Sequence, residues 1–82
     1  MYILYPIRTE KAIAMIELEN KLLFVVSNDA TKPLIKKEIE GTYGVKVASV
    51  NILKTIKGEK RAYVRLAKEF RADDVAAKLK IV

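Results

Sequence analysis

The sequence predicts a single α/β domain of the α+β kind spanning residues 1–82. The expected order is β-α-β-α-β-β, with a four-stranded, mostly antiparallel sheet, helices packed on it and a short C-terminal helix. Three observations carry this. The run Leu22-Leu23-Phe24-Val25-Val26 is apolar without alternation, as expected of a strand covered on both faces. Ile35, Ile39 and Tyr43 recur every four residues, which places them on one helical stripe. Ala62, Val64 and Leu66 alternate with Arg61, Tyr63 and Arg65 directly after a Lys57-Gly58-Glu59 turn, the pattern of a hairpin's return strand.

The elements follow one another without a linker, repeat or low-complexity stretch. Tyr2 to Tyr5 is aromatic and branched and is expected to form a strand stopped by Pro6. Thr9 suits an N-cap and Glu10 the positive end of a helix running to about Glu17, with Ala12, Met15 and Ile16 facing inward and Ile13 beside them. Asn20 ends that region, and Lys21 to Ser27 forms the next strand. After the turn Asn28-Asp29-Ala30, Thr31 is expected to cap a second helix, with Pro33 tolerated in its first turn. Lys32, Lys36, Lys37 and Glu40 fall off its apolar stripe, toward solvent or a partner. Gly44 suits the left-handed position that closes the helix. From Val45 to Ile56 the chain is extended, but its apolar residues change phase near Ser49, which implies a bulge or a boundary. The last helix is expected from about Asp73 to Leu79, with Asp73 and Asp74 at its positive end.

Composition narrows function before any motif is considered. Hydrophobic residues make up 51% of the 82, enough for a core despite 32% charged residues. There is no cysteine and no histidine, so the usual nucleophile, general base and metal ligands are missing together. No hydroxyl or lysine has an evident base beside it, and the three glycines form no phosphate-binding loop. We therefore expect no enzyme, metal, cofactor or small-molecule substrate; a regulatory or acyl-phosphate-hydrolysing α/β domain would need an anion loop and a positioned arginine. The longest apolar run is too short to span a membrane, and the residues before Pro6 have no basic lead of a signal peptide, so a cytoplasmic protein without membrane insertion is expected.

The net charge is +6, and all of the excess lies in the middle of the chain. Between Lys32 and Arg65 there are nine basic and three acidic residues, whereas the rest has seven of each. Such a local field favours a polyanion over the plainer alternative of a solvated lysine-rich surface. On the return strand, Arg61, Tyr63 and Arg65 share one face, where guanidinium groups suit phosphate and a ring can stack on an unpaired base. Lys54, Lys57 and Lys60 cluster around the turn. The common RNA-recognition sheet motif is matched only at its end: Arg61 stands where its first aromatic belongs, so a paired stacking platform is not expected.

The stretch Lys60-Arg61-Ala62-Tyr63-Val64-Arg65-Leu66, with Val75 further on, resembles the signature of the large-subunit ribosomal protein twenty-three family. Three other blocks agree in order and spacing: Pro6 with Thr9-Glu10-Lys11-Ala12; Ala30-Thr31-Lys32-Pro33 with Ile35-Lys36-Lys37; and Val45-Lys46-Val47 with Val50-Asn51 leading to Lys57-Gly58. The resemblance implies a ribosomal protein that binds large-subunit ribosomal RNA beside the exit of the peptide tunnel. It also implies neighbouring ribosomal proteins, the signal recognition particle and nascent-chain factors as partners. Glu10 matches the glutamate by which bacterial members hold the tunnel-exit chaperone. The tip at Lys57 to Lys60 is short, unlike the long tunnel loop of bacterial members, and no basic extension like that of eukaryotic members precedes the first strand, so the chain resembles archaeal members. The expected RNA contacts are Arg8, Lys11, Lys32, Lys36, Lys37, Asn51, Lys54, Lys57, Lys60, Arg61, Tyr63 and Arg65, with Glu10 and Glu17 docking protein factors. Charge reversal at Arg61 and Arg65 should weaken RNA binding more than at Lys78 and Lys80. The competing reading is a free-standing RNA-binding module outside the ribosome.

Overall fold

A computed structural model of the chain describes residues 2–79; Lys80 lies outside the described residues. The unbroken apolar run forms β2 (Lys21–Val26), and all five residues from Leu22 to Val26 are buried. β2 pairs with β1 (Ile3–Pro6) on one side and β4 (Lys60–Leu66) on the other, and β4 pairs in turn with β3 (Val47–Lys54). The sheet order is β1-β2-β4-β3 and every pairing is antiparallel, so the sheet is wholly rather than mostly antiparallel.

The helices are α1 (Glu10–Glu19), α2 (Lys32–Tyr43) and α3 (Ala72–Lys78). All three contribute to one core: Ile16 of α1, Ile35 and Ile39 of α2, and Ala72, Val75 and Ala76 of α3 cluster with Leu22, Phe24, Val26, Val50, Ala62, Val64 and Leu66 of the sheet. Among the described residues no polar or charged residue is fully buried, so apolar burial is the main source of stability. The alternation of the return strand holds: Ala62 and Val64 are completely buried, while Arg61, Tyr63 and Arg65 lie on the opposite face.

Several boundaries depart from the sequence expectation for physical reasons. Pro6 does not stop β1 but ends it, opposite Phe24, a place open to proline because β1 is an edge strand. α1 continues to Glu19 and closes at Asn20, whose φ of 56° is left-handed. Thr31 occupies the N-cap of α2 but its hydroxyl makes no capping bond. An N-cap oxygen usually accepts from the second or third helical N–H, and Pro33, at the second position, has none. Glu40 turns back instead of facing solvent, and its Oε2 accepts from the N–H of Val47 at 2.9 Å. α3 starts at Ala72, one residue early, and ends at Lys78. The phase change near Ser49 is a bulge between Val47 and Ser49, which returns Val50 to the core side.

Candidate nucleic-acid interface

The face of the sheet turned away from the helical core carries the candidate site. Cross-strand register aligns Tyr5, Val25, Arg61 and Leu53 in one row across four strands, and Leu23, Tyr63 and Asn51 in the next. Lys21, Arg65 and Ser49 form a third. The centre of this face is apolar and buried at Leu23 and Val25, whereas Asn51, Leu53 and Arg65 are exposed and Arg61 and Tyr63 half-buried. Two arginines, a tyrosine ring and an amide thus project from neighbouring positions on a rigid ladder, where side chains on one face stand about 5 Å from their cross-strand neighbours.

Arg61 is positioned by an acid that sequence reasoning counted only as an offset to the positive charge. Its Nε donates to Glu59 Oε1 at 2.7 Å, and the Tyr5 hydroxyl donates to Glu59 Oε2 at 3.3 Å. The Arg61 guanidinium beside it holds the Glu59 carboxyl below the ordinary carboxylate range, with smaller help from Tyr5 and Lys57. The pair engages Nε and leaves the terminal nitrogens of Arg61 to face a phosphate. The i, i+2 spacing of Glu59 and Arg61 was a legible sign of a shared face; the reach of Tyr5 was not, because it depends on β1 lying beside β2.

The turn between β3 and β4 is stiff. Thr55 N–H donates to the Glu59 carbonyl at 2.8 Å and Gly58 N–H to the Thr55 carbonyl at 2.9 Å, and the Glu59 N–H reaches the Thr55 hydroxyl at 3.1 Å. Gly58 has a φ of 85°, which a side chain would strain. Lys54, the last residue of β3, and Lys57, in the turn, are exposed. Lys60 is not: it points to the helical side and its Nζ donates to the carbonyls of Asn28 at 3.1 Å and Ala30 at 2.6 Å. That bond ties the residues just before α2 to the base of the hairpin, so the exposed Lys32 at the start of α2 lies at the same end of the molecule.

The remaining expected residues do not join this face. Lys36 and Lys37 are exposed on α2, in the helical layer. Arg8 and Lys11 are exposed beyond the far end of β1, away from the turn. Glu10 and Glu17 are both exposed on α1 and, seven residues apart, share one stripe of the helix. Beside Glu17, Leu18 is 83% exposed. Among the described residues, no three His, Cys, Asp or Glu side chains gather to hold a metal ion, and no helix is long and apolar enough to cross a membrane.

Comparison with known proteins identifies the family. The family model described as Ribosomal protein L23 matches residues 1–75. The large ribosomal subunit protein uL23 of the archaeon Thermoplasma acidophilum is 47% identical over 77 residues, which cover 94% of this chain and 90% of that protein. With a match across nearly its whole length, and with the signature residues Lys60 to Leu66 forming one of the two interior strands of the sheet, this chain belongs to the ribosomal protein L23 family.

Proposed function

We propose that this protein is a structural constituent of the large ribosomal subunit in the cytoplasm, binding large-subunit ribosomal RNA beside the tunnel exit. Arg61, Tyr63, Arg65 and Asn51 on the sheet face, with Lys54 and Lys57 at the turn and Lys32 at the same end, form the principal grip. Lys36 and Lys37 extend it along α2, and Arg8 and Lys11 touch RNA at the other end. Lys60 acts from within, holding the start of α2 against the hairpin. Apart from Lys11 in its first turn, α1 remains outside the grip and offers Glu10 and Glu17 to the signal recognition particle and nascent-chain factors, and neighbouring ribosomal proteins cover other parts of the surface. The observation that carries this reading is the register that puts Arg61, Tyr63 and Arg65 on one sheet face, away from the helical core.

Binding of this kind is mostly to phosphate, so it must weaken steeply with salt: each phosphate contact contributes roughly 0.7–0.9 to the log–log slope. Titration of large-subunit ribosomal RNA with the protein across ionic strength tests this, and a flat response refutes the grip. Arg65→Glu should weaken binding by at least about tenfold, whereas Lys78→Glu, on α3, should leave it within about twofold. Sedimentation of native extract separates this reading from a free-standing RNA-binding module: a ribosomal constituent travels with the large subunit.

A further inference from the structure

The hairpin turn displays apolar surface that the sheet-face grip does not use. Ile56 is fully exposed, at 106% of its reference area, and Leu53 is 52% exposed. With Lys54, Thr55, Lys57, Glu59 and Arg61 they line a shallow, open depression of about 650 Å³. Exposed isoleucine at the tip of a small domain gains nothing in the isolated protein, and the turn is built to hold it out. The bonds between Thr55, Gly58 and Glu59, and the left-handed glycine, fix its backbone before any partner arrives.

The lining says what kind of partner fits. Three cations face one carboxylate, and that carboxylate is already occupied by Arg61 and the Tyr5 hydroxyl. The partner must therefore be apolar where it meets Leu53 and Ile56, and anionic within reach of Lys54, Lys57 and Arg61. An unstacked nucleotide has both properties: flat base faces and a phosphate on either side. A paired duplex does not, because its base faces are covered by their neighbours. We propose that this concavity receives a single unstacked nucleotide of structured RNA, with the base against Ile56 and Leu53 and its flanking phosphates on Lys57 and Arg61. Apolar side chains placed at base steps in this way also act as wedges that keep a base out of its stack. The inference rests on the proposed ribosomal RNA binding and adds to it a position that distinguishes folded RNA with an extruded base from plain duplex.

The test uses the full chain, large-subunit ribosomal RNA transcribed in vitro, and the variants Ile56→Ser, Leu53→Ser and Lys57→Ala. Ile56 and Leu53 are exposed enough that the serine variants keep the thermal stability of the native protein. Ile56→Ser and Leu53→Ser should each lower affinity about five- to thirtyfold with the salt slope unchanged, because an apolar contact is lost and no charge is removed. Lys57→Ala should lower the slope by roughly 0.7–0.9. Chemical probing at nucleotide resolution should show one unpaired nucleotide protected by the native protein and reactive with Ile56→Ser, while the other protections persist. Native affinity and an unchanged footprint for both serine variants would overturn the proposal and leave the ribosomal RNA grip standing. So would a loss of protection spread over duplex regions, or unchanged RNA binding combined with loss of a neighbouring protein from the subunit, which would assign the surface to that protein. If the native protein itself bound no ribosomal RNA, both readings would fall together.

Discussion

At Asn20 the backbone turns left-handed, and the side chain reaches across to the other end of the sequence. Its Oδ1 accepts from the N–H of Ala72 at 2.7 Å, and its Nδ2 donates to the carbonyl of Phe70 at 2.9 Å and, more weakly, to that of Leu66 at 3.4 Å. The Asn20 backbone thus closes α1 through the Met15 carbonyl, while its amide holds the chain after β4 and satisfies the first N–H of α3. Asn20→Ala should cost about 2–3 kcal/mol, from unpaired backbone groups and a left-handed alanine, as read by denaturant unfolding. Asn20→Gly keeps the backbone freedom and should cost less, and the difference isolates the left-handed strain. The sequence showed Asn20 only as a helix end, because a side chain's bonds to residues some fifty positions away leave no local trace. The bond from Tyr5 to Glu59 was equally hidden, whereas the spacing of Glu59 and Arg61 was not. The Glu59 carboxyl is held below the ordinary range in the fold, so its contribution to stability is present above the unfolded carboxylate value and is lost as pH falls through the folded one. The native protein should therefore melt higher than Glu59→Gln at neutral pH, and thermal scans should show the gap closing in acid.

Helix starts differ in what their caps contribute. Thr9 accepts from the N–H of Ala12 at 3.2 Å, whereas Thr31 caps α2 by backbone position alone, its carbonyl accepting from Ile35 N–H at 3.0 Å. Thr9→Ala should cost about 1 kcal/mol and Thr31→Ala only a few tenths, a contrast that equilibrium unfolding of the two variants measures. Both caps look alike in sequence, and only Pro33 hinted at the difference. Strand faces were legible because alternation survives folding: Ala62, Val64 and Leu66 went inward, and the phase change before Val50 marked a real bulge. A second irregularity, between Ile3 and Tyr5, was not legible. Four residues give too little alternation to show a break, and the bonds by which Glu38 accepts from the N–H groups of Tyr2 at 2.7 Å and Ile3 at 3.2 Å, beside that break, join residues some thirty-five positions apart. Strand order was also beyond reach, since alternation fixes faces and says nothing of neighbours.

For the molecule as a whole, charge distribution and fold are nearly separate problems. The apolar core among the described residues contains no charged side chain, so charged residues of the sheet face and turn can be replaced while the domain stays folded, with Arg61 and Lys60, which bond within the fold, the costlier positions. The reverse also holds: Phe24, 1% exposed in the core, is remote from every expected RNA contact in function yet central to stability. Phe24→Ala should cost about 3–5 kcal/mol, a large share of what a domain of this size has, so its thermal transition should fall well below that of the native protein or vanish. The sheet order carries a further consequence for how the protein is made. β4, the last strand synthesised, lies between β2 and β3, which do not touch each other through hydrogen bonds. Before Lys60 to Leu66 is delivered, the only strand pairing among the described elements is β1–β2, and two strands alone make a marginal sheet. Assembly of the four-stranded sheet therefore waits for β4, the strand that joins the β1–β2 pair to β3.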